Sequence, residues 1–179
     1  IPQEIGNLIN LQQFFCDNNK LEIIPLEIEN LINLRVFYCN SNKIEIIPKE
    51  IFQLINLQSF FCNNNFIKTI PHEIRNLINL QIFKCNNNLI KTIPIEILNC
   101  IRLYYFDFSD NEIEDLDIRI IRFINRMKNY NNHNIYTDSQ NVHTSSIQRS
   151  VKESINNILK DAFIIEEKEL HEYISKLEC

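Results

Sequence analysis

Thiols carry the most evident chemical potential in this sequence: Cys16, Cys39, Cys62 and Cys85 recur every 23 residues, with Cys100 and Cys179 outside the series. Cysteines in that number could build a disulfide scaffold, ligate zinc or supply a nucleophile. A tetrahedral zinc site needs close pairs such as Cys-x-x-Cys or a histidine a few positions away, and a 23-residue spacing offers neither. Disulfide frameworks serve small secreted domains that lack a core, whereas 179 residues with 45% hydrophobic content can build a substantial one. A nucleophilic thiol needs a base within reach, and the candidates are His143 and Asp138 with Cys179. Such a set would suit a thiol hydrolase or a ubiquitin-ligase-type reaction. Cys179 is the terminal residue, however, and His72, His133 and His171 pair with nothing recognisable. The chain is therefore expected not to be an enzyme, and to need no metal or cofactor.

The charge balance restricts partners as well. The whole of the -5 net charge falls in residues 1–115, with 9 Lys/Arg against 14 Asp/Glu, while 116–179 is balanced. No basic run is present to grip phosphates, and no apolar stretch of membrane-spanning length. Neither nucleic acid nor membrane is expected as a partner. There is no charged-then-apolar leader, and Ile1 opens a chain whose single methionine is Met127, so the sequence reads as an excised or processed piece. The default is an intracellular, cytoplasmic protein.

What positions the cysteines is a repeat. Ile1-Pro2, Ile24-Pro25, Ile47-Pro48, Ile70-Pro71 and Ile93-Pro94 place all five prolines on one 23-residue period. Each period reads L-x-x-F-x-C-x-x-N-x-L, then x-x-I-P-x-E-I-x-x-L-I-N. Alternation at Phe14 and Cys16 suits a short strand with one face inward, and stacked coils would set such strands about 4.8 Å apart. Proline fixes φ and lacks a donor, which suits the first position of a helical turn, and the Ile24, Ile28, Leu31 spacing turns one stripe inward. The column Glu4, Glu27, Glu50, Glu73 and Glu96 falls on its outer side as solvated surface rather than a metal site. Asn19, Asn42, Asn65, Asn88 and Asn111 stand at the bend after each strand, where an amide can bond the backbone of its own and the next coil. The recurring cysteine then serves as a small hydrophobe between phenylalanines, in the slot taken by Phe108 in the fifth coil.

The array is expected over 1–125 as five coils plus a partial sixth. It ends because Arg126 falls where a strand leucine is due. Ile118, Ile121, Phe123, Ile124 and Met127 among arginines predict an amphipathic capping helix over 117–129. Residues 130–144 are polar and turn-rich, a hinge, and 145–179 predict a helical tail that opens with a capping box at Ser145 and Gln148.

On these residues the chain resembles the leucine-rich repeat family, in its 23-residue intracellular form with an Ile-Pro segment, although Phe and Cys stand where leucine is usual. The resemblance implies an α/β solenoid, a right-handed coil with a concave parallel β-sheet and here a helical cap and tail. It also implies protein binding. The segment DSQNVHTSSIQRSVKESINNIL is similar to tails of repeat proteins of large DNA viruses that infect amoebae, which would put the protein in the host cytoplasm but implies no activity.

If that geometry holds, the outward strand positions floor the concave face in two rows: Gln13, Val36, Ser59, Ile82 and Tyr105, then Phe15, Tyr38, Phe61, Lys84 and Asp107. Below them run Asp17, Asn40, Asn63, Asn86 and Ser109. Three aromatics followed by a basic and an acidic residue make an apolar stripe with a charged end, the composition of a protein-binding patch. The competing reading is that the rings merely stack along the ladder and stiffen the sheet. A second functional reading is an adaptor whose tail, through Val151, Ile155 and Ile158, makes the contact.

Overall fold

The computed structural model describes residues 1–132. Five three-residue strands, β1 (Gln13–Phe15), β2 (Val36–Tyr38), β3 (Ser59–Phe61), β4 (Ile82–Lys84) and β5 (Tyr105–Asp107), form one parallel sheet in sequence order. Every register pairs residues 23 apart, such as Phe14 with Phe37 and Phe37 with Phe60. One period is thus one turn of a solenoid, and the columns seen in the sequence are columns in space.

The return path of each coil is a five-residue 3-10 helix: Gln3–Asn7, Leu26–Asn30, Lys49–Gln53, His72–Asn76 and Ile95–Asn99. In this helix residues i and i+3 eclipse, so Ile28 and Leu31 enter the core together, both fully buried. The prolines stand one residue earlier than the sequence predicts. Pro25 has φ -68° and ψ 152°, so its ring fixes an extended residue whose carbonyl accepts the Ile28 N–H at 3.2 Å. The ring's φ near -65° serves an extended residue and a helical one equally, and periodicity could not tell them apart.

Between strand and return path the chain turns through a left-handed residue in every coil: Asn18, Ser41, Asn64, Asn87 and Asp110, with φ of 53 to 57°. Asn and Asp tolerate this region best among residues with a Cβ, so the bend needs no glycine.

The asparagine column satisfies the bend, with one correction: it bonds its own and the preceding coil. Asn65 Nδ2 donates to the carbonyls of Cys62 and Asn63 in its own coil and of Cys39 in the coil before, while its Oδ1 accepts the Ile44 N–H. Asn42 and Asn88 repeat the arrangement, and all three are buried. Asn19, in the first coil of the sequence, bonds Cys16 and Asp17 in its own coil.

After β5 an α-helix, α1 (Ile118–Asn132), replaces the 3-10 turn. Asp117 Oδ1 accepts the Arg119 N–H at 2.8 Å, and its carboxylate meets the Arg119 guanidinium at 2.7 Å. These hydrogen bonds hold the Asp117 carboxyl down at about 2. Repeat register would bury position 123, which aligns with Cys100, and expose 124, which aligns with Ile101. The 3.6-residue period reverses this, burying Ile120, Ile121, Ile124 and Met127 and leaving Phe123 half-buried. Residues 130–132, expected as the start of a hinge, are helical: an asparagine costs a helix only a few tenths of a kcal/mol. The rest of the expected hinge and the tail lie outside the described residues.

Candidate protein-binding face

A three-residue strand turns its middle side chain one way and its outer two the other. The middle residues, Phe14, Phe37, Phe60, Phe83 and Phe106, enter the core, and the outer two of each strand make the two rows. The first row pairs Gln13, Val36, Ser59, Ile82 and Tyr105 across the sheet; the second pairs Phe15, Tyr38, Phe61, Lys84 and Asp107. Phe15 is 55% exposed and Tyr105 40%, while Val36, Tyr38, Phe61, Ile82, Lys84 and Asp107 are half-buried.

The second row is a run of touching groups. The Phe15 ring meets Tyr38 edge-on at 5.0 Å, and Tyr38 lies tilted over Phe61 at 4.0 Å. Lys84 Nζ continues the line, 5.4 Å from the Phe61 centroid and 5.1 Å from that of Tyr105 on the neighbouring strand. Asp107 stands opposite Lys84 in register, yet its Oδ1 is engaged by the Ser109 hydroxyl at 2.7 Å and backbone N–H at 3.1 Å. Burial and the nearby Asp107 charge raise the Tyr105 phenol above its ordinary value. Each ring pair contributes about 0.5–1.5 kcal/mol and an exposed cation–π contact about 0.5–1 kcal/mol. Stacking therefore does stiffen the row, and Phe15 still offers more than half its surface to solvent.

The third row is partly spent on the solenoid itself. Asp17 Oδ1 accepts the Asn40 N–H at 2.7 Å, and Asn40 Oδ1 accepts the Asn63 N–H at 3.1 Å. A further ladder, which sequence reading passed over although its asparagine recurs in the repeat, runs elsewhere: Asn33, Asn56 and Asn79 donate to the carbonyls of Ile9, Ile32 and Ile55.

The thiols are inert in this setting. Cys39, Cys62 and Cys85 are fully buried, and desolvation pushes them well above the ordinary thiol value. Burial raises Cys100 to about 12, and burial with Asp17 raises the half-buried Cys16 to about 11. Thiolate is the reactive form, so alkylation of Cys39 and Cys62 in the folded chain should run at least ~10³-fold slower than in urea, with Cys16 the first of the five to react. Peptide mapping after timed iodoacetamide exposure measures this, and rapid native labelling of Cys39 and Cys62 would contradict the buried phase of the column.

No group of three or more His, Cys, Asp or Glu side chains among the described residues could hold a metal ion. None of their helices is long and apolar enough to cross a membrane. Asp138, His143, Val151, Ile155, Ile158 and Cys179 lie outside the described residues, as does the whole segment 138–159.

No family model matches the sequence, and no curated protein does. Solved structures do match. A leucine-rich repeat protein of Leptospira interrogans is 30% identical, with a TM-score of 0.66 over 68% of this chain and 31% of its own. The plant peptide hormone receptor RGFR1, in complex with RGF2, is 32% identical, with a TM-score of 0.60 over 63% of this chain and 19% of its own. The leucine-rich repeat ectodomain of the Arabidopsis thaliana receptor kinase GASSHO1/SCHENGEN3, in complex with CASPARIAN STRIP INTEGRITY FACTOR 2, is 28% identical at 0.60, over 65% and 14%. The chain spans less than a third of each of these proteins. A 23-residue period, a parallel sheet in sequence order, inward asparagine ladders and these likenesses together make the chain a leucine-rich repeat protein.

Proposed function

We propose that this array is a protein-interaction module that holds a partner on the outward, concave face of its sheet. The observation that carries the reading is the continuous row Phe15, Tyr38, Phe61 and Lys84, rings and ammonium in contact yet open to solvent. Phe15, Tyr38 and Phe61 are the apolar anchors, and Val36, Ile82 and Tyr105 widen the floor. Lys84 and Asp107 set orientation by opposite charge at one end of the row. Rigid aromatic side chains suit this work because little rotamer freedom is lost when a partner covers them. The structures of RGFR1 with RGF2 and GASSHO1/SCHENGEN3 with its factor support the reading, since repeats of similar fold are seen there with protein ligands. Free thiols suit a reducing compartment, and we place the encounter in the cytoplasm.

Truncating central anchors typically costs about 2 kcal/mol or more each. A folded Tyr38→Ala/Phe61→Ala chain should therefore lose its partner in affinity capture, by at least ~30-fold in Kd once the partner is purified. Unchanged recovery by the double variant sinks the reading. Partner capture is also expected to survive deletion of residues 145–179, which an adaptor working through its tail would not allow.

A further inference from the structure

One column of the repeat remains unused by the core, the asparagine ladders or the aromatic row. Ile9, Ile32, Ile55, Ile78 and Ile101 are 53, 60, 56, 52 and 79% exposed. A single β-branched hydrophobe in water is ordinary, but this one returns in every coil at the bend that leads into the strand. The Asn33, Asn56 and Asn79 amides pin that bend to the carbonyl of the isoleucine one coil back, at 2.8–2.9 Å. The five side chains line up as one column, a ridge of one per coil, beside strands stacked about 4.8 Å apart, and the amides fix its first three members.

We infer that this ridge is a self-association face, on which two copies of the chain pack ridge against ridge in antiparallel sense. Matching of period is the first reason. Branched side chains at a fixed step interlock best with side chains at the same step, and a second copy carries that step by construction. Charge is the second. The chain has net charge -5, yet the columns on either side of the ridge hold no carboxylate, and on its 3-10 side stand Asn7, Asn30, Gln53, Asn76 and Asn99. On its strand side the charges are only Arg35 and Arg102, one near each end. Antiparallel packing sets coil two against coil four, so Arg35 meets Gln81 of the other copy and Arg102 meets Asn10. Parallel packing, about an axis along the ridge, would instead turn the strand side of each copy toward the 3-10 side of the other, setting Arg35 over Asn30 and Arg102 over Asn99. Area is the third. Five isoleucines this exposed present roughly 500 Å² of apolar surface, and with the flanking amides two ridges bury about 1,200 Å², the lower bound of a specific interface.

The pairing places Ile55, the middle residue, against its own counterpart and Ile32 against Ile78. Light scattering of the full chain should show a mass rising from 21.4 kDa toward twice that value over about 5–200 µM, the range expected of a small interface. Ile55→Lys should stay at 21.4 kDa throughout, with an unchanged urea midpoint because the site is exposed. An equimolar mixture of Ile55→Lys and Ile55→Glu should recover the doubled mass. A single chain carrying both Ile32→Glu and Ile78→Lys should also dimerise, since antiparallel packing brings those two positions together. A wild type that stays monomeric at the top of the range overturns the inference. So does a folded Ile55→Lys chain that still dimerises, or a charge-complementary mixture that does not. Failure of Ile32→Glu/Ile78→Lys to dimerise, when the Ile55 mixture does, overturns the antiparallel sense.

Discussion

Replacing Asn65 with leucine should lower the stability of the array by about 3–5 kcal/mol, a large share of the margin a domain of this size holds. Asn65 is 6% exposed and its amide engages four backbone groups in two coils. These groups do not suffer equally. The Cys39 carbonyl keeps a bond from Asn42 and the Cys62 carbonyl keeps one from Asn88, so each loses one of two donors. The Ile44 N–H loses the Asn65 oxygen that accepts it, at a residue that is fully buried. An orphaned buried donor costs about 1–3 kcal/mol, and the weakened carbonyl bonds add the remainder. Asn19 supplies the control, because it is exposed and bonds only its own coil. Asn19→Leu should cost under about 1 kcal/mol. Urea unfolding of the two variants decides the matter, and equal midpoints would mean that the inward amides do not hold coil to coil.

This ladder also shows where the sequence is legible and where it stops. A fixed period assigns each residue to a column, and columns determine which side chains meet. The strand register, the two outward rows and the inward thiols were therefore readable from Phe14, Cys16 and their successors. Period is blind to direction along the stack. A column of asparagines looks the same whether each bonds forward or back, and only the structure shows that Asn65 reaches the Cys39 carbonyl behind it. Proline posed a similar ambiguity, since one φ serves both an extended residue and the first residue of a helix. Contacts between neighbouring columns were also hidden. Lys84 stands opposite Asp107 in register, which suggests an ion pair, but its stem reaches the rings of Phe61 and Tyr105 while Ser109 engages the carboxylate. Where the period breaks, at α1, the apolar stripe expected of the capping helix holds at Ile121, Ile124 and Met127, while Ile118 and Phe123 are only half-buried because they lie at the edges of a 3.6-residue stripe.

Removal of the Phe60 ring should have the largest effect of any single truncation in the core. Phe60 is fully buried and stacks parallel to Phe37 at 5.6 Å, 4° between planes, and to Phe83 at 5.5 Å and 7°. Centroids this far apart with parallel planes are offset stacks, the arrangement that ring quadrupoles favour. Phe60→Ala forfeits the transfer energy and leaves a cavity, about 3–5 kcal/mol, and breaks two ring pairs worth about 0.5–1.5 kcal/mol each. Because a solenoid is held by nearest-neighbour interfaces, this one change weakens both interfaces of the central coil. The array should then lose two-state behaviour, and the two flanks should unfold at separate urea concentrations. Phe14, in the first coil of the sequence, has one ring neighbour, Phe37 at 5.4 Å, and is only half-buried. Phe14→Ala should therefore cost about half as much and leave a single transition. Phe60→Leu restores most of the volume without the rings, so its position between wild type and Phe60→Ala separates packing from stacking. Hydrogen exchange resolved along the chain would read the result directly, and a Phe60→Ala protein that still opens as one cooperative unit would show that the phenylalanine column does not couple the coils.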